Sequence, residues 1–145
     1  MGGVDGLVLT NLVLYRNQYQ ARLEDDAKNV QFLHDTFGEL IDVAEIAVAA
    51  GSALYESNAF KGGGGGDEGP GWVSNNNLFL AGKSPLRATG SGDKATLDTT
   101  TWVDPAKHDY HLKKQMNAPA GAGVKLDRDK KPRSTTTPDV GAYEL

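Results

Sequence analysis

There is no cysteine among the 145 residues, which excludes a disulfide framework, a thiolate metal centre and a cysteine nucleophile together. No stretch approaches the roughly 18 consecutive apolar residues of a spanning helix, so no membrane span is expected. The N-terminal MGGVDGLVLTN has no basic region followed by an apolar one, and no signal peptide is legible in it. Cationic side chains are outnumbered, 15 to 19, for a formal net charge of −4. A nucleic-acid-binding domain normally carries a basic stripe. The one basic run, Arg128 to Arg133, is interrupted by Asp129 and Pro132 and reads as a solvated turn. No nucleic-acid partner is expected.

Glycine is in excess, 18 of 145 residues, with seven of them in KGGGGGDEGPG at 61–71. A run without side chains has nothing to pack and an unrestricted backbone, so it reads as a loop. It lacks the G-x-x-x-x-G-K-[ST] spacing of a phosphate loop.

The chain also repeats itself. LVLTNLVLY, VQFLHDTFG, ALYESNAFK and WVSNNNLFL each place a short apolar-rich stretch before Asn or Asp, then any residue, then a large apolar one. Aligned on Asn11, Asp35, Asn58 and Asn77, the segments predict stacked short strands, because one such unit cannot bury its inward side chains alone. Val13, Phe37, Phe60 and Phe79 are then expected to form an apolar column, with Val8, Phe32 and Tyr55 in another. The polar positions are expected at a bend, where Asn tolerates the left-handed backbone region. LIDVAEIAVAAGSALYE has a partly helical spacing, but Ile41, Val43, Ile46 and Val48 are β-branched and Gly51-Ser52 interrupts, which favours strands.

The ending carries a resemblance. Asp104-Pro105 with Asp109-Tyr110-His111-Leu112, then Ala118-Pro119-Ala120 with Gly123, then Asp127, Asp129, Pro132 and Arg133, lead into Pro138-Asp139-Val140-Gly141-Ala142-Tyr143-Glu144. In this order and spacing they resemble the ending of many secreted right-handed parallel β-helix proteins of the polysaccharide-lyase-like superfamily. Ala118 stands where that ending usually has Ser, and Lys130 or Lys131 where it usually has Gly. The resemblance implies an all-β, right-handed parallel β-helix solenoid of about four coils over 1–101 and an irregular C-terminal cap over 102–145. The cap is expected to cover the last coil with Tyr110, Leu112, Val140 and Tyr143. Proteins of that family are several times longer, so the N-terminal coil, Val4 to Tyr15, is expected to meet an oligomeric partner or an upstream β-helix segment.

The same resemblance implies an extracellular protein acting on or binding an acidic polysaccharide. Enzymes of that kind use a Lys, Arg or His base, with acidic groups holding calcium. No residue here matches a family catalytic motif. The candidates are therefore His34, Arg22 and Glu56 for catalysis, Glu24, Asp25 and Asp26 for Ca2+, and Trp72 and Trp102 for stacking on sugar rings. Each has a structural alternative: a solvated turn for Glu24-Asp25-Asp26, a strand edge for His34, an inward row for Trp72. A non-catalytic adhesion or assembly module is the competing function.

Overall fold

In the computed structural model, residues 4–16, 27–38, 52–61, 71–80, 92–118 and 123–145 are described. Their regular structure is β apart from one 3-10 turn at Pro105–Lys107. The strands are β1 (Val8–Thr10), β2 (Val13–Leu14), β3 (Val30–Leu33), β4 (Thr36–Phe37), β5 (Ser52–Glu56), β6 (Ala59–Phe60), β7 (Gly71–Asn75), β8 (Leu78–Leu80), β9 (Lys94–Leu97), β10 (Trp102–Asp104) and β11 (Asp109–Leu112). One parallel sheet has the order β1-β3-β5-β7 and a second the order β2-β4-β6-β8-β9, while β10 and β11 pair antiparallel. Over the described residues the fold is nearly all-β and dominated by parallel pairing. Most of the segment 40–56, expected as strand, lies outside the described residues; its end, Ser52–Glu56, is β5.

Each layer consists of one strand of each sheet with two residues between them. The first of the two is left-handed every time: Asn11, His34, Ser57 and Asn76 have φ of 58°, 56°, 57° and 55°, and Gly92 continues the column at 79°. The bend is held by the neighbouring layer, since the His34 N–H donates to the Glu56 carbonyl and the Ser57 N–H to the Asn75 carbonyl, both at 3.1 Å. The second residue supplies a side-chain ladder. Oδ1 of Asp35, Asn58, Asn77 and Asp93 accepts the backbone N–H of Leu12, Asp35, Asn58 and Asn77, at 2.7, 2.7, 2.9 and 2.8 Å.

This ladder corrects the sequence alignment by one residue in the first layer. Asp35 matches Leu12, not Asn11, and Asn11 belongs to the left-handed column. The strand register agrees: Leu14 pairs with Phe37, Phe37 with Phe60 and Phe60 with Phe79, whereas Val13 pairs with Thr36. Likewise Leu9, not Val8, faces Phe32, and Val8 is 50% exposed. In-register parallel strands stand about 4.8 Å apart, which suits stacked rings. Phe32–Tyr55 and Phe37–Phe60 stack at 4.5 Å between centroids, and Phe60–Phe79 at 5.2 Å.

From Trp102 the chain leaves the parallel sheets and turns back along them. The segment expected as a cap runs as a strap along the flank, and its Tyr110, Leu112, Val140 and Tyr143 share a core with Leu97 of the last layer. Val140, Ala142, Tyr143, Trp102 and Tyr110 share a core with Ala59, Leu78 and Leu97 of the second sheet. The strap also reaches the first three layers at their bends. The Asn11 amide donates to the Leu126 carbonyl at 2.7 Å, His34 Nδ1 lies 3.0 Å from the Asp139 carbonyl, and the Gly141 N–H donates to the Ser57 carbonyl at 2.8 Å. At the bends, main-chain groups stand available to it.

Gly141 shows why the motif needs its glycine. Its φ is +80°, and an added Cβ would lie 2.7 Å from Thr36 Oγ1 and 3.0 Å from the Ala59 Cβ. Gly141→Ala is expected to destabilise the protein by about 2–4 kcal/mol through backbone strain and overpacking. Gly123→Ala, at a φ of +64° with nothing within 4 Å of its Cβ, isolates the strain alone, about 1–2 kcal/mol. Urea unfolding of the two variants checks the difference; equal losses would remove the close-approach explanation.

Candidate functional site

The outer face of the first sheet combines exposed apolar and polar side chains. Side chains alternate along a strand, and with Phe32 and Tyr55 inside, the register builds two outward rows. One holds Val8, Gln31, Leu54 and Val73, the other Thr10, Leu33, Glu56 and Asn75. Val8 and Val73 are each half exposed, whereas Leu33 is buried. Glu56 stands between Leu33 and Asn75 across the sheet and beside Leu54 along it. It is half-buried, and burial pushes its carboxyl above the ordinary value. Glu56 is the ionisable side chain among the described residues of these rows. Amide, hydroxyl and carboxyl groups alternating with flat apolar patches can hydrogen-bond sugar hydroxyls while covering a ring face.

Of the other expected site residues, His34 is fully buried. Burial, and then the Arg133 guanidinium, push its pKa down to about 4. It occupies the left-handed column beneath the strap, which removes it from any outer groove. Trp102 is likewise fully buried and meets Tyr110 edge-on at 6.1 Å between ring centroids. Its apolar surface joins the strap to the second sheet and is not offered to a sugar. Trp72 falls in β7 opposite Ala53 in the register. Arg22, Glu24, Asp25 and Asp26 lie outside the described residues. Among the described residues, no group of three or more His, Asp or Glu is arranged to hold a metal.

Thr10, Gln31 and Asn75 were not singled out from the sequence. The signal was present, since they fall two or four residues before the layer's ladder or ladder-equivalent position. For Thr10 it becomes readable only with the first layer aligned on Leu12.

The strap has its own polar knots. His111 lies between Asp109, 2.5 Å from Nδ1, and Asp129, 2.8 Å from Nε2, and stacks on Tyr143 at 4.0 Å. Burial works against its charged form, but the two carboxylates outweigh it and raise its pKa. With both ring nitrogens engaged, His111 ties the turn at 127–131 to β11. Compared with family models, curated proteins and solved structures, the chain matches none.

Proposed function

We propose that the two parallel sheets are faces of a right-handed parallel β-helix and that the outer face of the first binds polysaccharide in an extracellular setting. The observation that carries this reading is the paired outward rows, Val8-Gln31-Leu54-Val73 and Thr10-Leu33-Glu56-Asn75. They form a strip with a repeat near the strand spacing of about 4.8 Å, suited to an extended chain of sugars. The right-handed sense follows from the strong preference of parallel crossovers. The family resemblance of the ending supplies the acidic polysaccharide; the hydroxyl and amide groups of the strip suit neutral sugars equally. Calcium, if used with an acidic chain, would be held by Glu24, Asp25 and Asp26.

Affinity electrophoresis on pectate, alginate, a glycosaminoglycan and a neutral glucan, with and without Ca2+, tests the reading. Retardation by at least one of them is expected, and Val73→Glu should weaken it about tenfold by placing a charge on the apolar patch. Absence of retardation in every gel would sink the binding reading. A lyase reading is favoured by the position of Glu56 as the ionisable side chain among the described residues of the strip, with burial pushing its carboxyl upward, the direction a general base needs. It predicts an ultraviolet-absorbing unsaturated product that disappears in Glu56→Gln while retardation persists. An assembly role is favoured by β1, an edge strand with exposed Val8, and by exposed Val4 ahead of it; sedimentation at the mass of one chain would overturn it.

A further inference from the structure

The ladder position changes chemistry at one layer. Asn58 and Asn77 each make two contacts with the layer before. Their Oδ1 atoms accept a ladder N–H, and their Nδ2 atoms donate to the carbonyls of Phe32 and Tyr55, at 2.9 and 3.0 Å. Asp35 makes only the first contact with Oδ1, to the Leu12 N–H at 2.7 Å. Its Oδ2 is buried without a hydrogen-bond partner. Leu9 pairs with Phe32 and Phe32 with Tyr55, so the Leu9 carbonyl holds the place in the first layer that the Phe32 and Tyr55 carbonyls hold in the next two. A carboxylate oxygen set toward that carbonyl would oppose two desolvated acceptors. One proton on Oδ2 would restore the bond that the amides make.

We propose that Asp35 is held in the folded protein as a neutral carboxylic acid standing in for an asparagine, and that its proton makes the joint between the first two layers sensitive to pH.

The surroundings agree with that state. The neighbours from adjacent layers, Leu12, Ser57 and Asn58, carry no charge. His34, adjacent in the chain, is neutral above about pH 4. From the strap, the Arg133 guanidinium faces both groups, itself surrounded by Asp127, Asp139 and Glu144. Burial pushes Asp35 up to about 7, against the opposing pull of the Leu12 N–H, of Arg133 and of the Leu33 N–H.

The signs for the two neighbours are opposite. Asp35 has its folded value above the unfolded one, so its contribution is complete below about pH 4 and is lost as pH rises toward about 7. His34 has its folded value below the unfolded one, so its contribution is complete above about pH 6.5 and is lost as pH falls toward about 4. Between those limits the two slopes nearly cancel in the wild type.

Two measurements test the proposal. In 13C-labelled wild-type protein, the Asp35 carboxyl resonance should titrate near neutrality; titration in the ordinary aspartate range around 4 would overturn it. By denaturant unfolding between pH 4 and 8, Asp35→Asn should gain on the wild type by up to about tenfold in the folding equilibrium constant per pH unit, levelling off above about 7. His34 is common to both proteins and drops out of the difference. A gain that does not change with pH would equally overturn the proposal, and the carboxyl titration decides the matter if Asp35→Asn does not fold.

Discussion

Arg133→Met is expected to release the C-terminal strap from the flank of the sheets, at a cost of about 3–5 kcal/mol, the range for removing one partner of a buried charged network. Arg133 is 5% exposed. Its Nη1 donates to the Asp139 carbonyl at 3.0 Å and to Glu144 Oε2 at 3.3 Å. Its Nη2 donates to Asn11 Oδ1 at 2.8 Å and to the Gly141 carbonyl at 2.7 Å. One planar group thus fixes the motif's own turn and joins it to the first layer, which a methionine of similar length cannot do. Glu144, which also accepts the Ser134 and Asp139 N–H groups at 3.0 and 2.9 Å, loses its countercharge. Hydrogen exchange should show the amides of Gly141 and Ala142 unprotected in the variant while those of β4 and β6 stay protected. A loss below about 1 kcal/mol, the scale of an exposed ion pair, would show that the arginine does not hold the strap.

Phe60→Ala is expected to cost about 3–5 kcal/mol, as for other buried aromatic truncations. Phe60 is 1% exposed, lies between Phe37 at 4.5 Å and Phe79 at 5.2 Å, and touches Tyr55 at 6.4 Å between centroids. Its neighbours are fixed above and below by main-chain pairing, so the column cannot close over the gap. Val8→Ala, at a half-exposed position, should cost under about 1 kcal/mol. Urea midpoints with an unchanged slope measure both; similar costs at the two sites would contradict the placement of the column.

The aromatic column was legible because Phe37, Phe60 and Phe79 are large, apolar and each two residues after a polar marker, and stacking rewards like over like. The first layer was not, because Leu12 replaces the polar residue that marks the others and Asn11, one position earlier, imitates it. Asp93 escaped for a related reason: it lies only 16 residues after Asn77, and no phenylalanine follows at the marker position. His34 drew attention as a polar residue at a bend. What sequence spacing could not convey is that residues more than 100 positions later would be laid over it. The same long reach turned Trp102 from a surface platform into core. The outer rows follow from strand alternation once the register is known, and one residue of misalignment hid the first layer's share of the candidate face.

The strap also sets an order of events. The Arg133–Asn11 bond joins residues 122 apart, and the Asn11–Leu126 bond residues 115 apart. Closing such long loops is entropically costly and slow. During synthesis the bends of the first layers are made well before the groups that cover them. Until residues 138–145 are in place, His34, Asp35 and Ser57 stay wet and the flank of the second sheet is only partly covered. Completion of the fold therefore waits for the strap, and a chain halted before Pro138 keeps the sticky surface of an unfinished one.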